Sequence, residues 1–241
     1  GNGTLTTGWP YTTYWHDGRT QILITKAEIE AAGGFAGLIN HLDFNVSSIN
    51  ASLQPMSGFN INVQNYPGTL TGFVTGGFTN VLSTTYTVTA TGWNTHTFTT
   101  PFIWNGTDNL LFEICYDNTS YTSYSYVYAT AAASGLCYYR YTDGAAGCSL
   151  TAPNSTTSRP NVRFTLTPLL YTTLEGVVTN ASTGAPINGA MVQAGDSVTY
   201  TMADGTYTLE LMSGNVDVTV SKLGFDSQTV NLNITGNNMT Q

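Results

Sequence analysis

Charge is what this sequence has least of. Lys and Arg number six and Asp and Glu 14 in 241 residues, 8% in all, against roughly 25% in typical soluble proteins. The basic residues Lys26, Lys222, Arg19, Arg140, Arg159 and Arg163 form no cluster, so the electrostatic footprint of a nucleic-acid partner or an anionic membrane surface is missing. Long apolar runs are missing too, none approaching the ~20 residues of a membrane helix, and membrane insertion is not expected. No hydrophobic signal segment follows Gly1, and the expected reading is a mature, exported chain whose targeting sequence has been removed. His16, His41 and His96 are the only imidazoles, and no GxSxG elbow, HExxH helix or phosphate-binding glycine loop accompanies them. The expectation is a protein that is not an enzyme and needs no cofactor.

The residues that invite chemistry have plainer readings. His16 and Asp17 are adjacent, and adjacent strand residues point to opposite faces, which argues for a turn before Gly18. His41 and Asp43 share a face but are expected as an exposed, solvated pair. Glu113 and Asp117 are the candidates for a structural calcium, although hard-cation sites show several clustered carboxylates. Asp204 with Gly205 suits a tight turn better than a metal. The three cysteines fit an oxidising compartment. Cys115 and Cys148 are the preferred disulfide, Cys137 with Cys148 the alternative, and no CxxC or paired His spacing suggests zinc.

What the chain has is alternation. Leu42, Phe44 and Val46 alternate with His41, Asp43 and Asn45, Phe59, Ile61 and Val63 with Asn60, Asn62 and Gln64, and Leu110, Phe112 and Ile114 with Leu111, Glu113 and Cys115, the period of half-buried strands. Val162, Phe164 and Leu166 make a last strand before Pro168. Eight to ten strands are expected in residues 1–168, enough for a jelly-roll-like β-sandwich. One short helix interrupts them, with Thr25 and Glu28 as a capping box and Gly33 as the stop. From Leu174 the pattern tightens: Leu174, Gly176 and Val178, then Tyr207, Leu209 and Leu211, then Val216, Val218 and Val220, then Val230, Leu232 and Ile234, divided by Ser182-Thr183-Gly184, Asp204-Gly205 and Ser213-Gly214-Asn215. Residues 169–241 are expected to form a second, smaller all-β sandwich of six or seven strands.

Gly176-Val177-Val178, Gly184-Ala185-Pro186, Gly189-Ala190-Met191-Val192, Thr201 to Tyr207 and Leu223-Gly224-Phe225 occur in an order that resembles carboxypeptidase regulatory-like, or transthyretin-like, domains. That resemblance implies a Greek-key β-sandwich without an active site, used as a spacer, stabiliser or docking unit. In the first 165 residues Tyr14 to Leu23, Thr99 to Gly106, Asn109 to Asn118 and Arg159 to Phe164 resemble β-rich domains of surface and secreted proteins of Bacteroidota-type bacteria, often exported by the type IX route. No assigned chemistry comes with that resemblance.

Aromatic residues are plentiful, with 15 Tyr, ten Phe and four Trp. Trp9, Tyr11, Tyr14 and Trp15 form one group and Tyr121, Tyr124, Tyr126 and Tyr128 another. Trp15, Tyr124, Tyr126 and Tyr128 are the candidate sugar or subunit contacts, with Tyr124, Tyr126 and Tyr128 expected on one face of a strand as a sugar platform, a packing ladder or a contact between subunits. Nine Asn, at 2, 45, 50, 105, 118, 154, 180, 233 and 238, occupy N-x-S/T sequons. Asn105 and Asn118 are candidate glycosylation sites, as is Ser197 in Asp196-Ser197-Val198, which resembles a short O-glycosylation pattern of Bacteroidota-type bacteria.

Two sandwiches with few charges suit a secreted structural or adhesive cell-surface protein that polymerises with copies of itself into an extracellular filament or surface layer. The strand around Thr4 to Thr7 is the expected β-augmenting segment, the alternative being that the ends GNGTLTTG and GNNMTQ pack on their own domains. A carbohydrate-binding module of a larger secreted protein is the other reading, with surface glycans as partner.

Overall fold

The computed structural model describes residues 1–144 and 147–234, together with the backbone of Met239–Thr240. The Asn238 sequon and most of the GNNMTQ end lie outside the described residues. The chain divides into two compact units, Gly1–Pro168 and Leu169–Gln241, and both are all-β.

The first unit is a two-sheet antiparallel sandwich. One sheet runs Leu5–Thr7, Tyr126–Ala131, Gly37–Ser48 and Val162–Arg163, with Ser158–Pro160 also on Tyr126–Ala131 and with Leu166–Pro168 and Gly92–Trp104 also on Gly37–Ser48. The other runs Asn154–Ser155, Cys137–Thr142, Asp17–Ile24, Asn109–Asp117, Met56–Tyr66 and Thr79–Tyr86. Apart from the Met56–Tyr66 and Thr79–Tyr86 hairpin, successive long strands pass back and forth between the sheets, the connectivity of a jelly-roll-like fold. Eight of the thirteen described strands are six residues or longer. The expected last strand is split, because Val162–Arg163 and Leu166–Pro168 pair separately with Gly37–Ser48.

Alternation explains the core. Ile22, Ile61, Phe112 and Ile114 from one sheet meet Ile39, Leu42, Phe44 and Trp104 from the other, each at most 1% exposed. Asp17–Ile24 breaks the rule of one wet face, since all eight of its residues are buried. Its outer face, with that of Asn109–Asp117, is covered by residues 67–78: Leu23, Leu70 and Leu111 form a second cluster there. Beside it lies a buried ionic knot. Arg19 pairs with Glu113, its Nε donating at 2.7 Å, and also donates to the carbonyls of Val74 and Leu150. Gln21 and Asn62 donate to the same carboxylate.

The helix Lys26–Ala31 carries the full capping box: Thr25 accepts from the Glu28 N–H and Glu28 accepts from the Thr25 N–H. Gly33 follows at φ +81°, where a side chain would be strained. Arg159, buried behind the helix, donates to Glu28 and to the Leu23 carbonyl. That guanidinium, before any other influence, holds the Glu28 carboxyl down at about 2.

In the second unit Thr206–Met212, Tyr171–Val177 and Met239–Thr240 form one sheet, and Ser197–Tyr200, Met191–Ala194, Gly214–Ser221 and Gln228–Ile234 the other. Leu174, Val192, Tyr207, Leu209, Leu211, Val218 and Ile234 fill the space between them. Asp204 caps its own turn by accepting from the Thr206 N–H and hydroxyl, so the carboxylate reads as local structure. Val230 does not join this core. It is 47% exposed on an edge strand.

Candidate functional site

The candidate contacts fall in an assembly of aromatic side chains. The segment from Gly8 to His16 runs beside Tyr126–Ala131 of one sheet and Cys137–Thr142 of the other, and rings from all three interlock. Trp9 stacks on Tyr139 at 3.9 Å, Trp15 on Tyr141 at 5.0 Å and Tyr14 on Tyr124 at 5.6 Å, while Tyr124 also meets Tyr126 at 5.6 Å. Both indole N–H groups are held: Trp15 donates to the Tyr124 hydroxyl at 3.2 Å and Trp9 to the Ser158 carbonyl at 3.1 Å. Tyr14 and Tyr121 form the outer end and are about half exposed. A cavity of about 250 Å³ opens between Trp9, Tyr124, Tyr126 and Tyr141.

This places the candidate contacts as follows. Trp15, Tyr124 and Tyr126 come together, but Tyr124 precedes the strand, which begins at Tyr126, so the three tyrosines do not share one strand face. Tyr128 is half-buried opposite Thr6 and enters none of the ring contacts of the described residues. Tyr11 is no surface residue: it is fully buried and its hydroxyl lies 2.8 Å from His96 Nε2. Tyr139 and Tyr141 complete the seam and escaped the sequence reading. Their alternation with Tyr138 and Arg140 was the available signal.

The remaining candidates are occupied in structural work. Asp43 is buried rather than exposed, with Arg163 donating from Nε at 2.7 Å and His41 Nε2 at 3.9 Å. Asp17 opens a strand and accepts from the Gly144 N–H, while His16 ends the preceding turn. Glu113 is unsuited to calcium because both carboxylate oxygens are taken by Arg19, Gln21 and Asn62. Among the described residues no group of three His, Cys, Asp or Glu could hold a metal. Asn118 is buried, with its oxygen accepting from the Ser57 N–H. Asn105 is exposed in an Asx turn and Ser197 is partly exposed on an edge strand.

The strand around Thr4 to Thr7 is occupied as well. Leu5–Thr7 pairs with Tyr126–Ala131 of its own unit, the Gly3 N–H donates to Thr130, and Asn161 donates to the Gly3 carbonyl. It therefore packs on its own domain, and one of its edges is already satisfied.

Cys115 and Cys148 form a disulfide with Cα atoms 5.1 Å apart, and Cys137 is free and buried. Gly147 makes this approach possible, since a Cβ there would lie 1.8 Å from the Tyr116 carbonyl oxygen.

Residues 173–241 match the carboxypeptidase regulatory-like domain family. No curated protein matches the chain. Among solved structures, the pilus 2b backbone protein of group B streptococcus is 16% identical over 96% of this chain and 90% of that one, with a TM-score of 0.20. That score is too low to carry an argument.

Proposed function

We propose that this chain is a non-enzymatic, secreted structural or adhesive protein of the cell surface that assembles with copies of itself by edge-strand pairing, into a filament or surface layer. One observation carries the reading. Gln228–Ile234 is a seven-residue edge strand with neither charge nor proline, and among the described residues it has no partner on its outer side. Sheet proteins that stay monomeric guard such edges with Lys, Pro, bulges or covering loops. At its Gln228 end an open cleft of about 910 Å³ is lined by Val178, Ile187, Val220 and Phe225 together with polar groups that include Lys222 and Asp226, and Leu223 stands 98% exposed nearby. Exposed apolar groups next to an unguarded edge favour pairing with another chain.

Other features support the same picture. Arg19, Arg159 and Arg163 are each committed to a carboxylate, the disulfide suits an oxidising, extracellular setting, and the matched family is a regulatory-like rather than a catalytic domain.

Sedimentation and negative-stain microscopy of purified protein test the proposal. Polymers are expected at high concentration, and Val230→Lys, a change at an exposed site, should abolish them without altering the circular dichroism. Dispersed monomers under all conditions, with no polymer on the source cells, would sink it.

A further inference from the structure

We infer that Asn105 is a self-modification site, at which the backbone nitrogen of Gly106 closes on the side-chain amide, expels ammonia and leaves aspartate or isoaspartate. Asn-Gly occurs three times, at Asn2-Gly3, Asn105-Gly106 and Asn188-Gly189, and all three asparagines are exposed. A glycine on the C-terminal side puts no Cβ in the way of ring closure. What separates the three is how the fold holds the groups that must react.

The nucleophile is the backbone nitrogen of the glycine, which must shed its proton to attack. The Gly3 N–H donates to Thr130 Oγ1 at 2.9 Å and the Gly189 N–H to the Thr201 carbonyl at 2.8 Å, while Lys222 Nζ donates to the carbonyls of both Asn188 and Gly189. Those two nitrogens are tied down. The Gly106 N–H engages no acceptor among the described residues.

The electrophile at Asn105 is positioned as well. Its Oδ1 accepts from the Thr107 and Asp108 N–H groups, both at 3.0 Å, which folds the side chain over the Gly106 peptide and draws electron density from Cγ. Its Nδ2 donates to Asp108 Oδ2 at 2.7 Å, which fixes the leaving group. The ends of the loop are held too, the Asn105 N–H by Asn65 Oδ1 at 3.2 Å and the Asp108 carbonyl by the Trp104 indole at 2.8 Å. Groups already held in one geometry lose less freedom on reacting. When the Gly106 nitrogen, its proton given to water, bonds to Cγ, the negative charge lands on Oδ1, where two N–H donors are already aimed. The Cγ–Nδ2 bond then breaks, and the nitrogen leaves as ammonia with a proton from water. Water opens the resulting succinimide at Cγ to give aspartate or at the main-chain carbonyl to give isoaspartate, so a negative charge is added with no reagent but water. The Asn105 sequon is lost in the same step, and glycan attachment and self-modification exclude each other there.

The full chain, produced without glycosylation, is incubated in mildly alkaline buffer either folded or in urea. The three sites are followed by mass spectrometry of proteolytic peptides, with an isoaspartate-specific methyltransferase to count the rearranged product. In the folded chain Asn105 is expected to convert at least about tenfold faster than Asn2 and Asn188, a modest share of what positioned donors supply. In urea that lead should vanish, most tellingly against Asn2, since Asn-Gly-Thr is the sequence at both sites. Gly106→Ala, at φ +74°, should slow conversion of Asn105 about tenfold by crowding the attacking nitrogen. If that variant disturbs the fold, the comparison among the three native sites decides alone. Asn105 no faster than the other two in the folded chain overturns the inference, as does a lead of equal size in urea, which would come from sequence rather than structure.

Discussion

His96 lies among Tyr11, Phe44, Phe59 and Tyr86, with ring centroids 4.4 to 6.3 Å from its own, and its Nε2 is hydrogen-bonded to the Tyr11 hydroxyl. Burial disfavours the imidazolium and lowers its pKa from 6.5 to about 4, with the Asp43 carboxylate opposing more weakly. The unfolded chain therefore binds a proton that the folded one refuses between these values, and stability must fall as pH drops from about 6.5 to about 4. The full loss is on the order of 3 kcal/mol, at 1.36 kcal/mol per pKa unit. Urea unfolding across that range should show it, and His96→Gln, which keeps an acceptor but cannot titrate, should flatten the slope. An unchanged slope in the variant would mean that another group supplies the effect. Cys137 is the same physics in a thiol: complete burial pushes its pKa well up, so iodoacetamide should label it only after unfolding.

Residues 67–78 contain no strand, yet they cover the outer face of Asp17–Ile24 because Arg19 and Gln21, both held by Glu113, grip them at Val74. Arg19 and Glu113 are each 5% exposed in the side chain, and removing one partner of such a pair leaves a buried charge at a cost of about 3–5 kcal/mol. Glu113→Ala should lose that much in denaturant titrations and should speed hydrogen exchange at the Val74 amide, whose acceptor is the Gln21 side chain. The double variant Arg19→Met, Glu113→Leu should recover most of the loss. Equal loss in single and double variants would show that packing, not the unpaired charge, dominates. This element also marks where sequence reasoning ran out. Alternation revealed Leu110, Phe112 and Ile114 because one side of each strand is aliphatic, and the capping box at Thr25 was legible because both partners lie within one turn. A strand buried on both faces by a distant loop leaves no such period, and Glu113 looked available only because Arg19 is 94 residues away. The aromatic seam was half legible for the same reason. Trp15, Tyr124 and Tyr126 stand in dense aromatic strings, whereas Tyr139 and Tyr141 join them only through sheet geometry, and Tyr11 is drawn inward by His96, 85 residues on.

Across the whole molecule the two units have separate cores and unequal means of support. Among the described residues the first has 24 buried in its main cluster, and a disulfide; the second has eight, and it contains no cysteine. All four tryptophans, at 9, 15, 93 and 104, lie in the first unit, and the second has tyrosines and Phe225 but no tryptophan. Tryptophan emission therefore reports one unit alone, while far-ultraviolet circular dichroism reports both. The disulfide closes a loop with a sequence separation of 33 residues, which corresponds to roughly 4 kcal/mol in the chain-entropy treatment. For a unit of this length that is on the order of 10 °C in melting temperature. Cys148 is exposed, so dithiothreitol can reach the bond in the folded state. Reduction should lower the tryptophan-detected transition by that amount and leave a second transition, seen only by circular dichroism, where it was. A single transition that moves as one in both signals would mean that the two cores melt together, and the second unit would then draw its stability from the first.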